Sequence, residues 1–125
     1  MLLKQLMLPI LIQLQPIYIN DVCEIISKSL TDKKFKKQTF DLVGSESISY
    51  QNYVKLFSRK TQTRIKKISL ETAYHDAISK PQSEFGVDDL NLLIGDFKGD
   101  HKKLLNISKI SFQSIRELLE SRRLL

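Results

Sequence analysis

Tyrosine is the side chain in this sequence whose catalytic use is simplest to test, because a phenol becomes an effective base when a lysine lies one helical turn away. The residues four positions after the four tyrosines are Val22, Val54, Phe57 and Ile78. The chain therefore contains no Tyr-x-x-x-Lys pair that could remove a proton from an alcohol. We expect no catalytic residue in it.

The four glycines lack the spacing of a nucleotide-binding turn. Gly44, Gly86, Gly95 and Gly99 match neither G-x-G-x-x-G nor the Walker pattern, both of which bring backbone N–H groups close to phosphates. The Gly-Ser-Glu-Ser run at 44–47 also differs from the G-x-S-x-G turn that exposes a nucleophilic serine. The sequence predicts no cofactor-binding residue in this chain.

Metal-ligand patterns are also missing. His75 and His101 stand alone, outside H-E-x-x-H, and each is expected at the surface. Residues 96–100 (Asp-Phe-Lys-Gly-Asp) superficially resemble a calcium loop but lack alternating oxygen ligands, and Lys98 adds a positive charge. We expect no metal site.

Cys23 is the only cysteine, which excludes an intrachain disulfide. Its apolar neighbours suggest a buried, unreactive thiol. The apolar run at residues 6–14 is too short to span a bilayer, contains Pro9 and precedes no small-x-small cleavage site. We expect a cytoplasmic protein with no membrane partner.

Charge leaves one alternative function open. Lys and Arg outnumber Asp and Glu by 20 to 14, a formal charge of +6, and no series of aromatic residues that could stack bases accompanies them. A solvated surface without a nucleic-acid partner is the favoured interpretation; a small basic module that binds nucleic acid or an acidic protein is the alternative. The basic residues form two clusters: Lys33, Lys34, Lys36 and Lys37, then Arg59, Lys60, Arg64, Lys66 and Lys67.

Length and periodicity predict one α/β domain over residues 1–125, with α+β as the other possibility. It would comprise an apolar N-terminal segment (1–14), a strand and helix core (15–70) and a mostly helical tail (71–125). Alternating apolar residues predict about three short, mostly parallel strands, at 15–20, 40–44 and 64–70, with helices between them. Predicted helix N-caps are Asp21, Ser49, Asp88 and Ser111, and Arg122 and Arg123 would lie near the last helix's C-terminal end.

Two segments resemble a known family. Residues 15–26 read Gln-Pro-Ile-Tyr-Ile-Asn-Asp-Val-Cys-Glu-Ile-Ile, and residues 40–50 read Phe-Asp-Leu-Val-Gly-Ser-Glu-Ser-Ile-Ser-Tyr before an amphipathic helix. This pattern resembles the C-terminal, substrate-side portion of extended and atypical short-chain dehydrogenase/reductases. The nearest similarity is to the NAD-dependent epimerase/dehydratase group, including relatives of the NADH dehydrogenase accessory subunit. Cys23 stands where that family usually has alanine.

The resemblance implies a region that shapes a substrate pocket, while the NAD(P) cofactor and the catalytic base belong to a Rossmann domain preceding this segment in full-length relatives. Gln15 and Tyr18 would then line the pocket, or would be strand residues packed against their neighbours, and Asp21 would cap a helix. An isolated region of this kind would be inactive alone. Its partner would be the Rossmann domain, or a second copy of the chain in a homo-oligomer, with residues 2–14 as the associating surface.

Overall fold

The expected α/β fold is confirmed in a computed structural model, which describes residues 4–93 and 95–121. These residues form α-helices and a two-stranded parallel sheet. They divide into two compact units, each assembled from two separate stretches of chain. Unit 1 is formed by the described residues up to Gln13 and from Ser49 to Asp96, and unit 2 by those from Leu14 to Ile48 and from Phe97 onward. The expected core (15–70) and tail (71–125) are each distributed over both units.

The parallel sheet belongs to unit 1. Strand β1 (Lys4–Met7) pairs with β4 (Arg64–Lys67), with Lys4 opposite Arg64 and Met7 opposite Lys67. The predicted strand at 64–70 is therefore confirmed in its first part. It ends early because the Oγ of Ser69 accepts the Thr72 N–H at 3.1 Å and caps α3 (Leu70–Ser79).

Two further helices complete unit 1. Helix α2 (Tyr50–Thr61) begins at the predicted cap, since the Oγ of Ser49 accepts the Asn52 N–H at 3.2 Å. Helix α4 (Val87–Leu92) begins after Gly86, and the Asp89 carboxylate accepts the Gly86 N–H at 2.9 Å. The prediction that Asp88 caps this helix is wrong, because the N-cap is Gly86, two residues earlier. The aliphatic core residues of the unit are Met7, Leu8, Ile10, Ile12, Val54, Ala73 and Leu90.

Unit 2 contains α1 (Ile19–Thr31), a short 3₁₀ turn at Lys33–Phe35, α5 (His101–Ser108) and α6 (Ile115–Glu120). Its buried cluster consists of Ile25, Phe35, Leu104 and Ile110, and partly buried side chains at 17, 40, 107 and 112 pack against it. Strands β2 (Gln13–Leu14) and β3 (Ile48–Ser49) lie where the chain passes from one unit to the other.

The strands predicted at 15–20 and 40–44 are wrong. Residues 15–18 are extended but do not pair with another strand, because Pro16 has no N–H to donate to one. The predicted strand is also cut short, since Ile19 already begins α1. Residues 40–44 are likewise irregular. The apolar alternation in both segments reflects packing of Ile17 and Phe40 on the helical core of unit 2.

The last helix also starts later than predicted. Ser114, and not Ser111, caps α6: its Oγ accepts the Glu117 N–H at 3.2 Å, and the Glu117 carboxylate accepts the Ser114 N–H at 3.4 Å. Phe112 is used instead to pack against the core cluster, which keeps residues 111–113 out of the helix. The prediction for Arg122 and Arg123 lies outside the described residues.

Helix α1 buries the face that carries Asp21 and Ile25. Cys23 is two residues from each of them, about 200° around the helix, and so it lies on the opposite face. The thiol is exposed, and the prediction that it is buried is wrong.

Candidate functional site

The first candidate pocket residue, Gln15, is held by both ends of its side-chain amide. Its Nε2 donates to the Gly44 carbonyl oxygen at 2.9 Å, and its Oε1 accepts the Gly99 N–H at 2.8 Å. Its own carbonyl oxygen accepts the Gly44 N–H at 3.2 Å. Gln15 therefore joins three segments of unit 2 that are far apart in the sequence.

Both glycines at this junction are required by close contact. A Cβ on Gly44 would lie 1.8 Å from the carbonyl oxygen of Pro16, and a Cβ on Gly99 would lie 2.7 Å from the Asp41 side chain. At Gly44 only a residue without a side chain lets the two backbones approach so closely, and at Gly99 a side chain would require that of Asp41 to move. We call Gln15, Gly44 and Gly99 the glutamine junction.

Segment 39–44 continues from the glutamine junction along the start of α5. The carboxylate of Asp41 accepts the Asp100 N–H at 3.0 Å, and the carbonyl oxygen of Val43 is 3.1 Å from Nδ1 of His101. The ammonium of Lys103 donates to the carbonyl oxygen of Thr39. Alternate residues of this segment thus bond to one helix start, and these bonds take the place of a strand partner.

The second candidate, Tyr18, immediately precedes α1. Its side chain is half-buried, and its hydroxyl oxygen accepts a hydrogen bond from Nδ2 of Asn20 at 2.9 Å, which leaves the phenolic O–H able to donate. Tyr18 is also the N-cap residue of α1, and its side chain accepts no hydrogen bond from the backbone N–H groups at the start of the helix. Of the two predicted pocket residues, Tyr18 is the one whose polar group remains able to bind a ligand.

Asp21 does not cap α1, which corrects the role predicted for it. It is the third residue of the helix, and its buried carboxylate accepts the Gln113 N–H at 3.0 Å. A carboxylate in the first helical turn still interacts favourably with the helix dipole. Asp21 thus fastens the segment before α6 to α1, within unit 2.

The two histidines differ in their surroundings. His101 is half-buried, bonded to Val43 and packed edge-on against Phe112 with ring centroids 4.5 Å apart. The expectation that it lies at the surface is wrong, because its ring packs against Phe112, which itself contacts the buried cluster of unit 2. His75 is exposed beside Asp76, and the ammonium of Lys80, at 3.2 Å, lowers the pKa of the Asp76 carboxyl group.

One depression in unit 1, beside the end of β1, is small. It has a volume of about 140 Å³ and is lined by Met7, Leu8, Pro9, Gln51 and Lys67, with neither predicted pocket residue. Drug-sized ligand pockets are usually roughly 300–1,000 Å³. Close by, the Tyr50 hydroxyl accepts the Leu8 N–H at 3.4 Å, and burial raises the pKa of the Tyr50 phenol and of the Tyr53 phenol.

One basic cluster is organised by the sheet. Side chains alternate between the faces of a strand, so the pairing of β1 with β4 puts Lys4, Arg64 and Lys66 on the same face. All three are exposed, and none forms an ion pair within residues 4–93 and 95–121. In the other cluster, Phe35 is buried and cannot stack on a base.

Comparison with known proteins yields no relatives: no family model matches this chain, and neither do any curated protein sequences or solved structures. The resemblance described above stays a prediction. Among the residues that could be described, no three His, Cys, Asp or Glu side chains come together as metal ligands. None of the helices formed by those residues combines the length and the apolar character that crossing a bilayer requires.

Sequence reasoning missed most of the contacts at the glutamine junction. It singled out Gln15 but assigned it to a pocket, and it gave Gly99, Asp41 and His101 no joint role. Two signals were available: the unusual glycine after an apolar run at 40–43, and the Asp-His-Lys-Lys sequence at 100–103, which fits a capped helix start.

Proposed function

We propose that this chain is the substrate-side portion of a cytoplasmic NAD(P)-dependent oxidoreductase of the epimerase/dehydratase type. It shapes one wall of the substrate pocket and does not catalyse the reaction alone. The cofactor and the catalytic base would come from a nucleotide-binding domain.

The glutamine junction is the observation that carries this proposal. The two segments on which the resemblance rests, 15–26 and 40–50, are bonded to each other through Gln15 and Gly44. The proline and glycine of the two motifs are in contact as well, since Gly44 leaves no space for a side chain beside Pro16. The residues of the two motifs therefore belong to one local structure.

The junction fixes the backbone that leads into Tyr18 and α1. A half-buried phenol next to a helix start without a side-chain cap offers an O–H donor together with unpaired backbone N–H groups. Such donors suit the hydroxyl, carbonyl or anionic groups of a polar substrate. In this proposal Tyr18 contacts the substrate and Gln15 holds the wall in position.

The DNA immediately upstream of the Met1 codon tests the proposal. We expect a continuous reading frame that encodes a glycine-rich turn and a Tyr-x-x-x-Lys pair. A stop codon directly upstream, or tight binding of NAD(P)H by the purified 125-residue polypeptide in a calorimetric titration, would contradict it.

A second experiment uses the longer polypeptide. Tyr18→Phe should raise KM for the substrate with little change in folding, because only the phenolic O–H is removed. Tyr74→Phe is the matched control, since the Tyr74 hydroxyl donates to Asn91 within unit 1. Equal effects of the two substitutions on KM would count against a substrate-contacting role for Tyr18.

The basic interaction module is a second candidate, favoured by the shared face of Lys4, Arg64 and Lys66. Phosphate contacts release counterions, so the logarithm of the binding constant for an oligonucleotide should fall linearly with the logarithm of the salt concentration. Lys66→Glu should reduce such binding, and Lys80→Glu, on α3's C-terminal cap and already paired with Asp76, is the control. Absence of oligonucleotide binding at low salt would exclude nucleic acid as the partner.

A further inference from the structure

Helix α1 carries an apolar stripe that its own unit does not cover. Ile19, Ile26 and Leu30 are 64%, 53% and 81% exposed, and Cys23 is exposed between them. The spacing from 19 to 30 is four, three and four residues, which is the repeat of a coiled-coil seam. We call these four residues the α1 stripe. The buried face of the same helix is separate and passes through Asp21 and Ile25.

The α1 stripe has the size of the apolar patches that are often functional on soluble proteins. Its four side chains present on the order of 400 Å² of apolar surface, about the size at which exposed patches mark an interaction site. A standard interface buries about 800 Å² on each partner, so the stripe would form roughly half of one. An association of modest strength is expected from an area of this size.

The residues beside the stripe fit a second copy of the same surface. Asn20, Ser27 and Ser29 flank it, and all three are small or uncharged, so a second α1 can approach without charge repulsion. The stripe has the same length and spacing read in either direction, which suits the self-complementary contact of a two-fold dimer.

Charge selects the orientation of the two helices. Lys33, Lys34, Lys36 and Lys37 follow directly after α1. A parallel pair would bring both sets of lysines together, whereas an antiparallel pair separates them by about 20 Å, the length of the helix. Antiparallel helices also oppose their dipoles favourably. In that arrangement Ile19 faces Leu30 of the second copy, and Cys23 faces Ile26.

We propose that α1 is a dimerisation helix, and that its stripe packs antiparallel against the same stripe of a second copy of this chain. This proposal is independent of the oxidoreductase assignment. It also differs from the expected association through residues 2–14, of which residues 2 and 3 lie outside the described part of the chain.

Sedimentation equilibrium over a range of protein concentrations tests the proposal. The native chain should dimerise reversibly, and Ile26→Lys should weaken dimerisation at least about tenfold, since it places a charge at the centre of the seam. The matched control is Ile78→Lys, because Ile78 is 77% exposed on α3. Leu11→Lys tests the N-terminal segment, as Leu11 is 88% exposed. Both of these variants should dimerise like the native chain, and circular dichroism should confirm that all three are folded.

Cys23 provides a second readout that does not depend on a destabilising variant. Alkylation of its thiol should slow as protein concentration rises, because the dimer covers it. A C23S/I26C chain oxidised together with the native chain should give a disulfide between the two chains, whereas the native chain alone should give little.

Three results would overturn the proposal. One is a monomer at several hundred micromolar with concentration-independent alkylation. Another is a dimer that Leu11→Lys or Ile78→Lys disrupts and Ile26→Lys does not. The third is efficient disulfide formation by the native chain alone, which would require the parallel arrangement.

Discussion

Gln15 and Gly44 are hydrogen-bonded to each other twice, although they lie 29 residues apart. The Gly44 N–H donates to the Gln15 carbonyl oxygen at 3.2 Å, and the Gln15 side chain donates to the Gly44 carbonyl oxygen at 2.9 Å. The backbone N–H and the carbonyl oxygen of Gly44 thus both bond to Gln15. This relationship replaces the strand pairing that the sequence predicts for the same two segments.

The first prediction concerns the space at Gly44. Gly44→Ala should lower the free energy of unfolding by about 3 kcal/mol, because its Cβ would meet backbone atoms of Pro16 that no rotamer change can move. Urea denaturation followed by circular dichroism measures the effect. Gly95→Ala is the control, with no atom within 4 Å of its Cβ, and should change stability by less than about 0.5 kcal/mol. Similar effects of the two substitutions would contradict the contact.

The second prediction concerns the side chain of Gln15. At neutral pH, Gln15→Glu should cost about 1–3 kcal/mol, because a carboxylate cannot donate to the Gly44 carbonyl oxygen and instead repels it. Acidification should recover part of the loss, since the neutral acid regains a donor. Denaturation at several pH values measures this recovery. Gln82→Glu, at an exposed position between α3 and α4, should show neither the loss nor the recovery.

The third prediction separates the observed role of Asp21 from helix capping. Asp21→Ala should cost about 1–3 kcal/mol, because it removes the buried acceptor of the Gln113 N–H. Hydrogen exchange should accelerate at the Gln113 amide, which lies outside the helix. Glu24→Ala, at an exposed position on the same helix, is the matched control. If exchange accelerated only in the first turn of α1, the result would contradict this prediction and support a capping role for Asp21.

The fourth prediction concerns alkaline pH. Burial raises the pKa of the Tyr53 phenol, so the folded state holds its proton more tightly than the unfolded state does. The resulting contribution to stability is fully present below the ordinary tyrosine pKa of about 10 and is lost as pH rises through the folded-state pKa. Tyr53→Phe should therefore make stability fall less steeply above about pH 10. Denaturation midpoints at a series of pH values measure the slope, and identical slopes for the two proteins would contradict the prediction.

Local signals in the sequence were sufficient for part of this fold. Ser49 and its helix are recovered because a cap and the residues it serves are neighbours in the chain. Strand β4 is recovered because the apolar residues Ile65 and Ile68 follow the end of a helix. The α/β class follows from this alternation.

Contacts between distant residues account for the errors. The segment at 40–44 has the period of a strand, but its hydrogen bonds go to the start of α5, more than fifty residues away, through the carbonyl oxygens of Thr39 and Val43 and the carboxylate of Asp41. Asp21 has the residue type of a cap, yet its partner is Gln113. At the candidate site, the sequence identified Gln15 and Tyr18 but not the glycines and the helix start that hold this segment in place.

The discontinuous make-up of the two units has a consequence for biosynthesis. Residues 14–48 are synthesised before residues 49–96, but Leu104 and Ile110, which complete the buried cluster with Ile25 and Phe35, are synthesised after them. Unit 2 can therefore close only after the second stretch of unit 1 has been made, and until then its apolar side chains are available to chaperones. A ribosome stalled near residue 96 would hold a polypeptide with all the segments of unit 1 and an unfinished unit 2.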